Sequence, residues 1–130
     1  MAVIFQYENN KQAIIVTAVG TVDGKEFLQK MEEFFSDEQT IRNYKYGLND
    51  FTKVEKFNIT SNQLFSLAKL HIKASKINQN LIVGFAINKS FLYGIVRIWM
   101  AYAVTTGWRI NIERTIPEIN DWVKQQLTLG

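Results

Sequence analysis

A run of seven residues without a polar side chain, at positions 81–87, constrains the fold of this chain more than any other feature. The run reads Leu-Ile-Val-Gly-Phe-Ala-Ile and lies between Asn80 and Asn88. Its length fits a β-strand, and apolar side chains on both faces indicate an interior strand of a parallel sheet that is covered on both sides. The sequence therefore predicts an α/β fold built around this strand.

Strand and helix patterns alternate along the rest of the chain. Strands at 3–7 and 13–19 are separated by a short polar turn, which predicts an antiparallel hairpin whose second strand ends at Gly20. Further strands are predicted at 44–51 and 109–114. Four helices are predicted to begin at capping residues, namely Thr21 or Asp23, Thr60 or Ser61, Ser90, and Thr115.

This order of elements predicts a five-stranded mixed sheet with an N-terminal antiparallel hairpin and four helices. After the hairpin each strand is followed by a helix, and such crossovers are right-handed and give parallel neighbours. Asp37 and Glu38 are expected at the solvated end of the first helix. The third helix should run to about residue 106, where Gly107 supplies a stop.

Composition excludes several kinds of chemistry. The 130 residues fit a single domain, at 1–130, and the chain contains no cysteine, so disulfides, thiolate metal sites and cysteine nucleophiles are excluded. One histidine cannot build a tight zinc site, and the glycines form no phosphate-binding loop, so we expect neither metal nor cofactor. The N-terminus lacks a signal-peptide pattern, which together with the missing cysteine favours a cytoplasmic location.

The charged residues are distributed unevenly. Residues 1–60 contain seven Lys or Arg and nine Asp or Glu, whereas residues 61–130 contain eight and three. No carboxylate side chain occurs between Glu55 and Glu113. This asymmetry predicts a polarised surface, but the net charge of +3 is too small to indicate binding to nucleic acid.

His71 and Asp50 are the two residues that an enzyme built on this chain would need. A general base or a Ser-His-Asp triad would have to use His71, the only histidine, whose place at the edge of a helical apolar stripe favours a structural role. Asp50 ends a predicted parallel strand, where α/β sheets place ligands, but it also fits a loop cap. We therefore assign no catalytic residue unless the two side chains meet in one cleft.

A candidate ligand or anion site consists of six residues: Asp50, Thr60, Ser61, Lys69, Lys73 and Lys76. The two hydroxyl residues lie where the second helix begins, and free amides there favour a phosphate, although both are also common capping residues. The three lysines have i, i+4, i+7 spacing and share one helix face. They predict contact with an acidic partner, a phosphate or an anionic membrane surface, with a solvated face as the alternative.

The third helix is apolar on nearly all sides. Arg97 is the only charged residue from 90 to 108, and its central position argues against a transmembrane span. Packing on a sheet uses only about half of a helix circumference, so something must cover the outer face. We predict a partner-binding surface of Tyr93, Arg97 and Met100, covered by a partner protein or a second copy of the chain. The alternative is a buried helix whose arginine reaches solvent.

Three segments resemble the STAS domain superfamily. Residues 13–21 resemble its second strand and the entry into its first helix, and residues 47–54 resemble the strand that precedes its second helix, with Asp50 near the strand end. Residues 90–99 resemble the start of the third helix in the SpoIIAA-like branch. The order of elements over 13–127 is similar to that of the small stand-alone SpoIIAA-like (STAS/CRAL-TRIO-related) proteins of bacteria.

This resemblance implies a right-handed β-α superhelix and a regulatory function in protein–protein binding without catalysis. Anti-sigma antagonists of the family are switched by phosphorylation of a serine in an Asp-Ser-Ser/Thr-Gly motif, where this chain has Asn58-Ile59-Thr60-Ser61. We therefore expect no phosphorylation switch. The alternative function is binding of a small apolar or lipid-like ligand, as in the related CRAL-TRIO domains, which an apolar cavity of roughly 300 Å3 or more would favour.

Overall fold

The structure, a computed structural model, describes residues 2–129. The strands are β1 (Ala2–Glu8), β2 (Ala13–Asp23), β3 (Tyr46–Asn58), β4 (Ile82–Ala86) and β5 (Arg109–Glu113). The α-helices are α1 (Gly24–Phe34), α2 (Glu38–Asn43), α3 (Ser61–Ser75), α4 (Ser90–Tyr102) and α5 (Ile116–Thr128). One 3-10 turn, Val104–Thr106, follows α4.

The five strands form one mixed sheet in the order β1-β2-β3-β4-β5. β1 and β2 are antiparallel, and β2, β3, β4 and β5 are parallel to one another. This confirms the predicted hairpin and the predicted mixed sheet. Because each crossover advances one strand in the same direction and is right-handed, the connecting helices fall on one face of the sheet.

Two hydrophobic clusters fill the two faces of the sheet. On one face α1, α3 and α4 pack on the strands in a large cluster that includes Phe27, Leu67 and Trp99. On the other face α5 covers the sheet with Ile119 and Val123 in a smaller cluster. β4 lies between the two clusters, which explains why this strand is apolar on both sides.

The run at 81–87 is buried throughout, as predicted. Gly84 lies at the centre of the run, and a Cβ atom there would be only 2.7 Å from Cγ1 of Ile119. The glycine therefore lets α5 approach the sheet closely.

β2 and β3 are longer than predicted. Gly20 does not end β2 but takes a positive φ of 74° inside it, and the strand continues to Asp23. The register between β2 and β3 shifts twice, after Thr17 and after Gly20, so that β3 contains extra residues. Such bulges replace the alternation of period two by a wider spacing, with Phe51, Val54 and Phe57 all packed into the same cluster. After Phe51 the sequence therefore lacks the alternation of apolar and polar residues that predicts a strand.

The helices differ from the prediction in three places. The four predicted helices are present, but the short helix α2 was not predicted, and Asp37 begins it rather than ending the first helix. Hydrogen bonds from the side chain and backbone of Thr40 lower the pKa of Asp37. α4 ends at Tyr102, and a 3-10 turn leads to Gly107, whose φ of 72° provides the predicted stop. Ser90 is the first residue of α4 rather than its cap.

Within residues 2–129, no helix is long and apolar enough to cross a bilayer.

Candidate functional site

The outer face of α4 is exposed and almost uncharged. Eight residues of the helix are exposed, and Arg97 is the only charged one among them. Four of the eight are large and apolar or aromatic: Phe91, Tyr93, Ile98 and Tyr102, each exposed over 40–48% of its surface. A helix on a protein surface normally presents polar residues to solvent, so this face is a candidate contact surface.

Only the inner side of α4 belongs to the hydrophobic core. Leu92, Val96 and Trp99 are buried against the sheet and α3. Met100 is half-buried and packs against the same core. The structure therefore places Met100 at the edge of the exposed face rather than in the middle of the partner-binding surface, as was predicted, whereas Ile98 and Tyr102, which the sequence analysis did not assign to that surface, are exposed.

We call Phe65, Phe91, Ile98 and Tyr102 the apolar strip. On α4 the residues at 91, 98 and 102 have i, i+7, i+11 spacing, which places them along one side of the helix. The strip extends onto α3, because the rings of Phe65 and Tyr102 meet edge to face with centroids 5.4 Å apart. Phe65 is itself 49% exposed.

Tyr93 and Arg97 contact each other on the opposite side of the α4 outer face. Nη1 of Arg97 donates a hydrogen bond to the Tyr93 hydroxyl at 3.2 Å, and the guanidinium carbon lies 5.6 Å from the ring centroid. The contact is intramolecular and holds the guanidinium on the helix surface. Arg97 is thus exposed on the outer face of α4, across that face from the apolar strip, and is not buried in the core.

The three lysines of α3 are exposed beside the strip. Nζ of Lys69 lies 5.4 Å from the ring centroid of Phe65, so Lys69 adjoins the strip directly. Lys73 and Lys76 follow on the same face of α3. In the part of the chain that the structure describes, the one ion pair joins Arg42 to Glu38, so no carboxylate neutralises these lysines.

The remaining residues of the predicted anion site do not join the lysines. Thr60 caps α3 in a capping box with Gln63, in which Oγ1 of Thr60 accepts from the Gln63 amide at 3.1 Å. Ser61 is exposed one residue further, and Lys69 lies more than two helical turns beyond it. The hydroxyls at the helix start therefore act as ordinary helix-start residues.

Asp50 lies on the other face of the sheet. Its neighbours Asn49 and Phe51 point toward α3, and strand residues alternate, so the carboxylate points away from that helix. Oδ1 of Asp50 accepts hydrogen bonds from the backbone amide and the hydroxyl of Thr52, at 3.0 and 2.7 Å. The prediction that Asp50 ends a strand was wrong, because β3 continues to Asn58 and Asp50 makes these local hydrogen bonds where the first bulge begins.

His71 is buried between α3, α4 and the sheet, more deeply than the sequence predicted. Its Nδ1 accepts a hydrogen bond from Nε1 of Trp99 at 3.0 Å, and Phe35 and Trp108 pack around the ring. Burial lowers the pKa of His71 to about 3, so the imidazole is neutral at physiological pH. His71 and Asp50 lie on different faces of the sheet and do not converge in a cleft.

A cavity of about 60 Å3 lies between the sheet and the helices α1, α3 and α4. Its walls are almost entirely apolar, and the polar groups among them are the imidazole of His71 and the amide of Asn49, which donates to the Gly84 carbonyl at 3.1 Å. Ligand pockets typically measure at least about 300 Å3. The cavity is therefore too small to hold a lipid chain without movement of the helices.

Within residues 2–129, no group of three or more His, Asp or Glu side chains is placed to hold a metal ion. The predicted lack of a metal site and of a cofactor stays a prediction.

Comparison with solved structures identifies the fold. The anti-sigma factor antagonist SpoIIAA, in its unphosphorylated form, superposes with a TM-score of 0.58 at 11% sequence identity, over 95% of this chain and 98% of SpoIIAA. The chain has a SpoIIAA-like fold. An uncharacterized DUF3478-family protein with this fold from Shewanella loihica PV-4 superposes with a TM-score of 0.55 at 13% identity, covering 94% of this chain and 92% of the other. No protein-family model and no curated protein matches the sequence.

The SpoIIAA-like fold confirms the predicted architecture. At 11–13% identity the likeness shows the fold alone, so the candidate site rests on this chain's own residues. Sequence reasoning found Tyr93 and Arg97 but missed the contribution of α3 to the exposed surface. The signal for Phe65 was present, since it lies four residues before Lys69 and therefore on the same face of the helix as the lysines. Its exposure could not be deduced, because it depends on how α3 and α4 pack together.

Proposed function

We propose that the chain is a non-enzymatic regulatory or adaptor module that binds a protein partner through the outer face of α4 and the adjoining part of α3. One observation carries this proposal: eight exposed residues of α4 include a single charge and four large apolar or aromatic side chains. Aromatic residues and arginine are enriched at protein interfaces, and both occur on this face.

The surface is preformed, which supports a role in recognition. Leu92, Val96 and Trp99 anchor α4 in the core, and the ring contact between Phe65 and Tyr102 holds the two helices in one arrangement. A rigid surface loses little conformational entropy when a partner binds. SpoIIAA, which shares the fold, is an anti-sigma factor antagonist, and a regulatory role for this chain agrees with that likeness.

Binding of a small apolar or lipid-like ligand remains the alternative prediction. The cavity beneath α4 has apolar walls, as such a ligand requires, but its volume of about 60 Å3 is a fraction of what a lipid occupies. We therefore place the function on the outer surface of α4 rather than in the interior.

The proposal is tested with a photo-crosslinking amino acid placed at position 98. A second variant carries it at position 124 on α5 as a control, and the crosslinker is activated in the cells that make the protein. We expect a defined crosslinked species from position 98 and none from position 124. The species should disappear when Phe91 and Tyr102 are both replaced by serine. Equal crosslinking from both positions, or none from position 98, would contradict the proposal.

A further inference from the structure

The two helices that form the apolar strip carry positive charges and no carboxylate. Between Glu55 and Glu113 the sequence has no carboxylate, and this stretch includes all of α3 and α4. The charged residues on these two helices are Lys69, Lys73 and Arg97, and Lys76 follows directly after α3; all four are exposed. All the charged side chains on the two helices that form the strip are therefore cations, and Lys69 contacts the strip directly, at Phe65.

Nothing within the described residues neutralises these cations. The ion pair between Arg42 and Glu38 is the only one there, and the hydrogen-bond partner of Arg97 is the uncharged hydroxyl of Tyr93. Lys69 contacts the face of the Phe65 ring, at 5.4 Å from its centroid. The positive charges are consequently available to a molecule that covers the strip.

A second copy of the chain fits this surface poorly. In a two-fold symmetric dimer the same patch meets itself, so each lysine and arginine would approach cations of the other copy. Like charges brought together at an interface weaken association, and here no carboxylate on either helix relieves the repulsion. The charge pattern selects a partner of opposite sign.

We propose that the partner is a protein that presents apolar side chains flanked by carboxylates, such as the acidic amphipathic helix of another protein. This inference rests on the proposed function and adds the chemistry of the partner. The apolar side chains contact Phe65, Phe91, Ile98 and Tyr102, and the carboxylates pair with the α3 lysines and Arg97. Charge complementarity sets the choice of partner and the rate of association, and the apolar contact supplies most of the affinity.

The test uses two synthetic helical peptides that have the same leucine face and differ only in their flanks, one carrying glutamates and the other lysines. Binding is measured by isothermal titration calorimetry at low and high salt. Because several exposed ion pairs form together, we expect the glutamate peptide to bind on the order of tenfold tighter or more. The difference should shrink at high salt because the charges are exposed.

Charge reversal provides the matched control. Replacing Lys69→Glu together with Lys73→Glu should remove or invert the preference for the glutamate peptide. Replacing Arg114→Glu together with Lys124→Glu makes the same change in net charge away from the strip, Lys124 being on α5, and should leave the preference intact. If both double variants lose the preference equally, net charge is the cause and the inference is overturned.

Three further outcomes separate this inference from the proposed function. If both peptides bind equally and Ile98→Asp abolishes both, the surface binds proteins but does not select acidic ones, so only the inference fails. If binding survives Ile98→Asp, the proposed function fails as well. If neither peptide binds but vesicles of phosphatidylcholine and phosphatidylserine bind, and Ile98→Asp abolishes that binding, the surface recognises a membrane and the inference of an acidic protein partner is overturned. The inference is also overturned if neither the peptides nor the vesicles bind.

Discussion

The indole Nε1 of Trp99 donates a hydrogen bond to Nδ1 of His71 at 3.0 Å, which joins α4 to α3 beneath the proposed binding surface. Both side chains are buried, with 4% and 5% of their surfaces exposed. An imidazole nitrogen that accepts a hydrogen bond is unprotonated, so this contact requires the neutral form of His71 with its proton on Nε2. The packing of the two helices that carry the binding surface is therefore coupled to the protonation of one residue.

We expect the free energy of unfolding to fall between pH 7 and pH 5 because of His71. Its pKa is about 3 in the folded protein and near 6.5 when the chain is unfolded, since burial disfavours the charged form. The unfolded state thus binds the proton first as the pH falls, and stability decreases from pH 6.5 downward until the folded form is protonated near pH 3. By linkage the loss at pH 5 is about 2 kcal/mol, which urea denaturation at a series of pH values would measure.

His71→Gln is the control for this pH dependence. Glutamine offers Trp99 a neutral acceptor and cannot take up a proton in this range. The variant should be somewhat less stable than the wild type at pH 7 but should lose much less stability between pH 7 and pH 5. An unchanged pH profile in the variant would show that other groups cause the effect.

The overall fold could be predicted because its signals are local. The apolar run at 81–87 identifies a strand buried on both faces, and the short polar turn after β1 identifies the hairpin. The helix starts at Asp23, Thr60 and Thr115 were recognisable because each side chain caps the backbone of its own helix. The alternation of strands and helices after the hairpin then indicates right-handed crossovers and parallel strands.

The features that the sequence did not predict depend on contacts between distant residues or on irregular backbone. The bulges in β3 are set by its pairing with β2, and α2 has a single buried residue, Ile41, too few for a periodic pattern. The depth of His71 depends on Trp99, 28 positions further along the chain. The sequence indicated an uncovered outer face on α4 but assigned none of the four strip residues to it, and Phe65 in particular joins the strip only through tertiary packing with Tyr102.

Two glycines in adjacent strands should respond in opposite ways to substitution by alanine. At Gly47 a Cβ would meet a single atom, the Ile14 carbonyl oxygen, at 3.9 Å, and Gly47 borders the internal cavity. Gly47→Ala should raise the free energy of unfolding by about 0.4–1 kcal/mol, because alanine reduces the entropy of the unfolded chain. Gly84→Ala should lower it by about 1–3 kcal/mol, because its Cβ would lie 2.7 Å from Ile119.

Urea denaturation of the two alanine variants provides the measurement, and each serves as the control for the other. They carry the same chemical change in neighbouring strands of one sheet. Equal effects on stability would contradict the packing of α5 against Gly84.

Thr60 and Ser61 should carry no stoichiometric phosphate in the protein isolated from its own cells. By the resemblance to STAS domains, the position of the phosphorylated serine corresponds to Ile59, which has no hydroxyl group and packs partly against the core. A phosphate on Thr60 would disrupt the capping box, in which its hydroxyl accepts from the Gln63 amide. Intact-mass spectrometry would check this, and a species heavier by one phosphate that maps to either residue would show the expectation to be wrong.

Alanine substitutions on the two faces of α4 should separate core from binding surface. Leu92 is fully buried, so Leu92→Ala should lower the free energy of unfolding by about 2–5 kcal/mol, through lost burial and the cavity left behind. Ile98 is 48% exposed, so Ile98→Ala should change it by less than about 0.5 kcal/mol. Alanine also has the higher helix propensity, which opposes any small loss at position 98. If Ile98→Ala proves as costly as Leu92→Ala in a protein that sedimentation shows to be monomeric, the outer face of α4 contributes to the fold itself and is not free to bind a partner.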